Sequence, residues 1–360
     1  MDVFTKELEE LRVLVASISP VNAALANHKD SLVRRYVFVR RRFDYAAFAV
    51  ALYASFEKFI EAFIAEYAHF ESRRLSYGEL PTKLLTKHRS RTAEMLSRGR
   101  IGEGRYLGLT ELEVVKNLFE CLNGVKPYTL NKAAVIAHDV NLRVGEIDNL
   151  FATVGIENVC DRARRADALM HWYRETKNLE VVLQDGVPAT LVEERIKDLV
   201  DRRNEIAHGG DIPTELPGEN EMKEAISFMQ AFAQSIFAIT VGAYLKTHHA
   251  PTSLGHVELV QVQNDGPYKK GTIVVIEKPA KRLLVGQPVF VLVDSTGARW
   301  GRIQKLRVND TDVHEVMPET DAPRGVGVEL DFKCPKGANL IALETDDDAV
   351  WRVSEAAVAP

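Results

Sequence analysis

Residues 43–70 place large apolar side chains at every third or fourth position: Phe48, Leu52, Phe56, Phe59, Phe63 and Tyr67. That spacing puts all six on one face of an α-helix about 40 Å long. A stripe of that length can be hidden only against other helices, so the chain is constrained first to a helical bundle. The pattern up to residue 248 agrees. Residues 1–27 are amphipathic, with Pro20 expected to break or end the first part of the helix. Residues 111–122 precede an Asn123-Gly124 stop, 145–151 and 160–172 give shorter helices, and 191–208 end at Gly209-Gly210. Residues 219–246 close the set.

Within that last segment, residues 225–245 carry no charge and are long enough to cross a bilayer. Ser227, Gln230, Gln234, Ser235 and Thr240 interrupt the run, and a charged turn at Glu221 and Glu224 precedes it. An interior helix of the bundle is the expectation, with no membrane partner.

After His248-His249-Ala250-Pro251 the period changes. Short apolar or β-branched runs occupy 257–262, 271–277, 288–294, 299–308 and 325–332, with turn residues at Asn264-Asp265-Gly266, Ser295-Thr296-Gly297 and Lys336-Gly337. The expected architecture is therefore a multidomain α plus β protein. It has an all-α bundle over 1–248, a linker at 249–256, a small all-β barrel over 257–345 and an acidic tail over 346–360.

Forty-six Lys and Arg stand against 51 Asp and Glu, a net charge of −5. Any nucleic-acid surface must then be a local patch. Two stretches qualify. Residues 29–42 hold six Lys or Arg against Asp30, and 83–105 hold seven against Glu94 and Glu103. Arg34, Arg35, Arg40, Arg41, Lys87, Arg89 and Arg91 are the candidate phosphate contacts, with Tyr36, Phe38 and Tyr106 as stacking surfaces. The same runs would equally suit solvated helix faces. The long polar stretch 71–104 would also suit a mobile flap over a substrate. Cys121, Cys160 and Cys334 are too few and too scattered for a disulfide framework, which fits a cytoplasmic protein. His138, His171, His248 and His249 show no metal-ligand spacing, so neither metal nor cofactor is assigned.

The run Arg202-Arg203-Asn204-Glu205-Ile206-Ala207-His208-Gly209 carries the chemistry. Asn204 and His208 share a helix face, and Arg203 lies about 140° round, with a side chain long enough to reach the same mouth. The negative end of the helix favours a protonated imidazole at His208. A guanidinium beside a titratable imidazole suits a phosphodiester: Arg203 can hold the phosphoryl oxygens while His208 transfers protons. Taken alone, an Arg and a His before Gly-Gly can also be a helix ending and nothing more.

That run resembles the R-x4–6-H signature of HEPN domains (higher eukaryote and prokaryote nucleotide-binding), with a polar residue after the Arg and an Ile-Ala-His-Gly ending. Two further stretches, 51–60 (Ala-Leu-Tyr-Ala-Ser-Phe-Glu-Lys-Phe-Ile) and 141–151, running on to Gly155-Ile156, resemble the RiboL-PSP-HEPN branch in content, order and spacing. The resemblance spans residues 1 to about 247. It implies a helical homodimer in which two such motifs face each other across one cleft. Many HEPN domains are metal-independent endoribonucleases that leave a 2′,3′-cyclic phosphate, and they recur in toxin–antitoxin and phage-defence systems. Others bind RNA or nucleotides without cutting. On this footing Arg203, Asn204 and His208 are the expected catalytic set and RNA the expected partner, with a regulatory antitoxin as a further one. Glu57 is a supporting acid that either orients Arg203 or merely edges its helix. Arg202 is expected to be solvated. Residues 281–294, 300–307 and 324–330 resemble the β-barrel domain II of translational GTPases, which implies either a recognition module or a passive stabilising one.

Overall fold

The computed structural model describes residues 1–99, 101–124, 126–180, 183–207, 216–249, 256–261, 266–277, 279, 282–293, 297–318 and 325–343. Contacts gather the chain into two units, Met1–Gln234 and Ser235–Pro360.

The first unit is helical. Its elements are α1 (Asp2–Ala26), α2 (Ser31–Arg74), α3 (Thr82–Arg98), α4 (Glu111–Asn123), α5 (Lys132–Val135), α6 (Val144–Thr153), α7 (Val159–Ala163), α8 (Asp167–Lys177), α9 (Ala189–Ala207) and the first half of α10 (Glu219–His248). The long helix α2 is central, because α1, α5, α6 and α9 all pack against it. Asp30 caps its start by accepting the Leu32 N–H at 2.8 Å. Phe48, Leu52, Phe56, Phe59 and Tyr67 are buried as the spacing predicts, and Tyr45, Tyr53, Ile60 and Ile64 are buried beside them. Each such side chain contributes about 1.5–3 kcal/mol by leaving water, so this helix anchors the bundle. The basic run of residues 29–42 forms the loop before α2 and its first three turns.

Two expectations for this unit fail for identifiable reasons. Pro20 lies inside α1 and does not break it. The buried stripe Phe4, Leu8, Leu11, Val15 and Ile18 docks on α2 ahead of the proline and holds the helix together through it. Within the stretch 71–104, Thr82–Arg98 is not a flap: α3 is amphipathic and buries Leu84, Leu85, His88, Thr92 and Met95. Its many exposed cations concealed that stripe in the sequence. The helix α4 starts at a capping box between Thr110 and Glu113 and ends at Gly124, whose φ of 69° a side chain would resist.

The second unit combines the C-terminal half of α10 with strands β1 (His256–Gln261), β2 (Ile273–Ile276), β3 (Leu283–Leu284), β4 (Pro288–Val293), β5 (Gly297–Val308), β6 (Thr311–Val313), β7 (Glu315–Val316), β8 (Val326–Leu330) and β9 (Asn339–Leu343). The main sheet is antiparallel, in the order β1-β9-β4-β5-β8-β2 with β6 on β5, and it curls into a half-barrel. The strand β5 makes the curl. Its first half pairs with β4 and its second with β8, and the register shifts between Ile303 and Lys305. Val274, Leu283, Val289, Val291, Ile303, Leu306, Val328 and Leu340 fill the concave side. On the other face Val241 and Leu245 of α10 pack on Phe290, Ala298, Ile341 and Leu343. A Cβ at Gly297 would come to 3.0 Å from the Gly242 backbone, so the glycine at 297 allows the helix its close approach. The strand β9 has no counterpart in the sequence reading. It lies between β1 and β4 and is buried at four consecutive positions, Leu340–Leu343 by number 340–343, so it lacks the alternation that reveals a half-exposed strand.

The uncharged run 225–245 lies in α10. This helix is long and apolar enough to cross a membrane, but 67% of its most apolar window is buried within the protein.

Candidate functional site

Along α9 the buried side chains are Val192, Ile196, Leu199 and Val200. Arg203 and Asn204 follow at i+4 from Leu199 and Val200, so they continue the inward stripe at the end of the helix. On α2, Tyr53 lies under the Arg203 guanidinium and Glu57 lines the same groove, with Glu61 four residues further on. The segment 137–143, leading into α6, closes the third side.

Hydrogen bonds tie these three elements together. The Tyr53 hydroxyl donates to Glu57 Oε1 at 3.0 Å and accepts the Leu142 N–H at 3.1 Å. Burial raises the Tyr53 pKa, which keeps the hydroxyl protonated and able to donate. Asn141 Nδ2 donates to Asn204 Oδ1 at 2.9 Å, and Arg203 Nη1 donates to the same oxygen at 3.1 Å. The Arg203 guanidinium lies 5.4 Å from the centroid of the Tyr53 ring, within cation–π range. His138 places Nδ1 2.7 Å from the Val140 carbonyl oxygen and Nε2 2.9 Å from Glu61 Oε1. Arg143 bonds Asp201 at 2.6 Å, pinning the loop to α9.

Glu57, His138, Asp139, Val140, Asn141, Arg143, Gly145, Glu146 and Arg203 line an open groove of about 830 Å³. A second groove of about 410 Å³ shares His138, Asp139, Val140 and Glu146 with it and adds Lys87 and Arg91. The cations on this path are not equivalent. Arg91 bonds Glu94 and Asp139, and Arg143 bonds Asp201. Arg203 has no carboxylate partner among the described residues; its contacts are Asn204 and Tyr53. Burial lowers the Lys87 pKa to about 8.

Of the residues the sequence singled out, Arg203, Asn204 and Glu57 come together here. Glu57 and Arg203 line one groove without an ion pair. Glu57 instead meets Tyr53 and His138, the latter at 3.8 Å. His208 lies outside the described residues. Lys87 and Arg91 border the adjoining groove, whereas Arg34, Arg35, Arg40, Arg41 and Arg89 line neither. Arg34 bonds the His28 and Lys29 carbonyl oxygens, Arg40 pairs with Asp44 at 3.0 Å, and Arg89 lies over Tyr77. Arg35 and Arg41 are exposed. Arg202 is half-buried rather than solvated: it bonds Asp198 and the Tyr45 hydroxyl and lies over the Tyr45 ring. Tyr53, His138 and Asn141 were not singled out as site residues. The signal for Tyr53 and Asn141 lay in the two stretches whose likeness to the RiboL-PSP-HEPN branch was already apparent.

Among the described residues no three His, Cys, Asp or Glu side chains cluster in a way that could hold a metal ion. The cysteines are buried, and burial pushes the Cys121 and Cys334 thiols up to about 11.

A helical bundle with a polar groove and an Arg that meets no carboxylate among the described residues defines a domain suited to anionic, phosphate-bearing ligands. The sequence model of the RiboL-PSP-HEPN family matches residues 6–241, and the chain belongs to that family. Membership supports an RNA-related role as ribonuclease or nucleotide binder. No curated protein matches the chain. The likeness of the C-terminal unit to a GTPase barrel rests on its antiparallel strands alone.

Proposed function

We propose that this protein is a metal-independent endoribonuclease that cleaves RNA by attack of the substrate's own 2′-hydroxyl. The observation that supports it best is Arg203. Its guanidinium lies in a groove, stacked on Tyr53 and braced by Asn204, with its charge met by no carboxylate among the described residues. Such a group takes a phosphodiester without first surrendering an ion pair. Arg203 holds the phosphoryl oxygens and the charge that develops on them. Asn204 positions Arg203, and His208 transfers a proton. The reaction leaves a 2′,3′-cyclic phosphate and a 5′-hydroxyl.

On this reading the protein is a cytoplasmic homodimer with two such sites across one cleft. It acts in a toxin or phage-defence setting under a regulatory partner, and the β unit recognises RNA or that partner. The family supports RNA handling and frequent dimerisation; the rest is part of the proposal. The test is cleavage of total cellular RNA in EDTA by wild type and by His208→Ala, with analysis of the fragment ends. Cyclic phosphates from the wild type alone support the reading. Tight RNA binding without cleavage would make the protein a non-catalytic RNA- or nucleotide-binding sensor instead.

A further inference from the structure

Glu57 is anchored through one carboxylate oxygen. Oε1 accepts from the Tyr53 hydroxyl at 3.0 Å and lies 3.8 Å from His138 Nε2. Oε2 takes no partner among the described residues, and the side chain, 26% exposed, lines the groove that contains Arg203. Its anchors are themselves fixed. The Tyr53 hydroxyl also accepts the Leu142 N–H, and both His138 ring nitrogens face acceptors, Val140 O and Glu61. A carboxylate held at one oxygen and, among the described residues, open at the other, beside an Arg that meets none of their acids, is arranged to accept a proton at a fixed place.

We propose that Glu57 is the general base of this site, with Oε2 as the reacting atom and RNA, bearing a 2′-hydroxyl, as the substrate. The inference rests on the endoribonuclease reading and adds to it a second proton-transfer group on the same chain. The 2′-hydroxyl proton passes to Oε2 as the O2′–P bond forms. The P–O5′ bond then breaks, and protonated His208 gives its proton to O5′. Solvent afterwards takes the proton from Glu57 and returns one to His208, so no oxidant or further reactant enters. Tyr53 and His138 are positioning residues. Among the described residues, the charged and titratable groups facing Glu57 are Tyr53 and Glu61 of α2, His138, Asp139, Arg143 and Glu146 of the neighbouring segment, and Arg203 of α9.

The experiment compares wild type, Glu57→Gln and His208→Ala in EDTA on two RNAs with a single scissile linkage. One has the natural 5′-oxygen and the other a 5′-bridging sulfur. Sulfur departs without a proton, so it makes the acid dispensable and leaves the base necessary. Glu57→Gln is expected to lose about 10²- to 10⁴-fold in kcat on both RNAs. His208→Ala is expected to recover on the sulfur substrate. Affinity for an uncleavable 2′-deoxy analogue should stay within about threefold in Glu57→Gln, since proton transfer and not binding is removed. The proposal is overturned if Glu57→Gln cleaves within about threefold of wild type, if sulfur rescues it, or if analogue affinity falls in step with activity. Those outcomes leave the endoribonuclease reading standing. A wild type that cuts neither RNA overturns that reading and this inference together.

Discussion

Asn141 donates its side-chain amide to Asn204 across 2.9 Å, joining the segment before α6 to the helix that presents Arg203. Because Asn204 Oδ1 also accepts from Arg203, the loop reaches the guanidinium through one shared acceptor. Asn141→Ala removes the amide that holds Asn204 Oδ1, so the acceptor that braces Arg203 loses its tie to the loop. One hydrogen bond of this kind contributes about 1 kcal/mol to stability, so the fold should persist. Misplacement of the phosphate-binding group should cost about 10- to 100-fold in kcat. Single-turnover cleavage beside a thermal melt separates the two effects, and an active Asn141→Ala would remove the loop from the site.

Arg203→Lys keeps the charge and loses the planar fork. A lysine cannot both lie over Tyr53 and donate along the geometry that now reaches Asn204. Loss of a transition-state contact of this type costs about 10²-fold or more. RNA affinity should change far less than kcat, since a point charge still attracts phosphate. Equal losses in kcat and affinity would show that Arg203 serves ground-state binding.

The sequence revealed what depends on periodicity and motif. The stripe from Phe48 to Tyr67 lies where its spacing puts it, and Arg203 and Asn204 lie on the inward stripe of α9. What stayed hidden depends on contacts between distant segments. The bond between Tyr53 and Leu142 joins positions 89 residues apart, and the Asn141–Asn204 bond spans 63. No local pattern encodes either. The pairing of Glu57 with Arg203, weighed from their chemistry, is absent because Tyr53 and His138 hold the carboxylate. The break expected at Pro20 ignored the packing that carries α1 through it. The strand β9 escaped because burial on both faces erases alternation.

His88 is completely buried. Its Nδ1 lies 3.0 Å from the Tyr77 hydroxyl, and its Nε2 accepts the Asn131 N–H at 3.0 Å. Burial lowers its pKa to about 4. The unfolded chain, with an ordinary histidine pKa of about 6.5, therefore takes up this proton first. Stability from His88 is complete above about pH 6.5 and is lost progressively as pH falls from there through 4, to a total of about 3 kcal/mol. His88→Gln should be less stable at pH 7.5 and should show a flatter decline over that window. Urea unfolding at several pH values gives the comparison, and parallel curves for the two proteins would rule His88 out as the source.

Lys87 offers a second pH dependence, in binding and in the opposite direction. It lies beside Arg91 in the groove that continues from the Arg203 site, and burial lowers its pKa to about 8. Its charge is present below that pH and disappears above it. If RNA follows the groove, affinity should fall as pH rises from 7 to 9. Lys87→Gln should reduce affinity at pH 7 and lessen the slope of log affinity against log salt by about 1. At pH 9 the neutral lysine contributes no phosphate contact, so the two proteins should converge. Arg35 and Arg41, exposed on the first turns of α2 and outside both grooves, provide the control. Replacing them with Gln should leave the pH dependence of binding unchanged. A binding loss at Arg35 and Arg41 that exceeds the loss at Lys87 would move the RNA path from the groove to the start of α2.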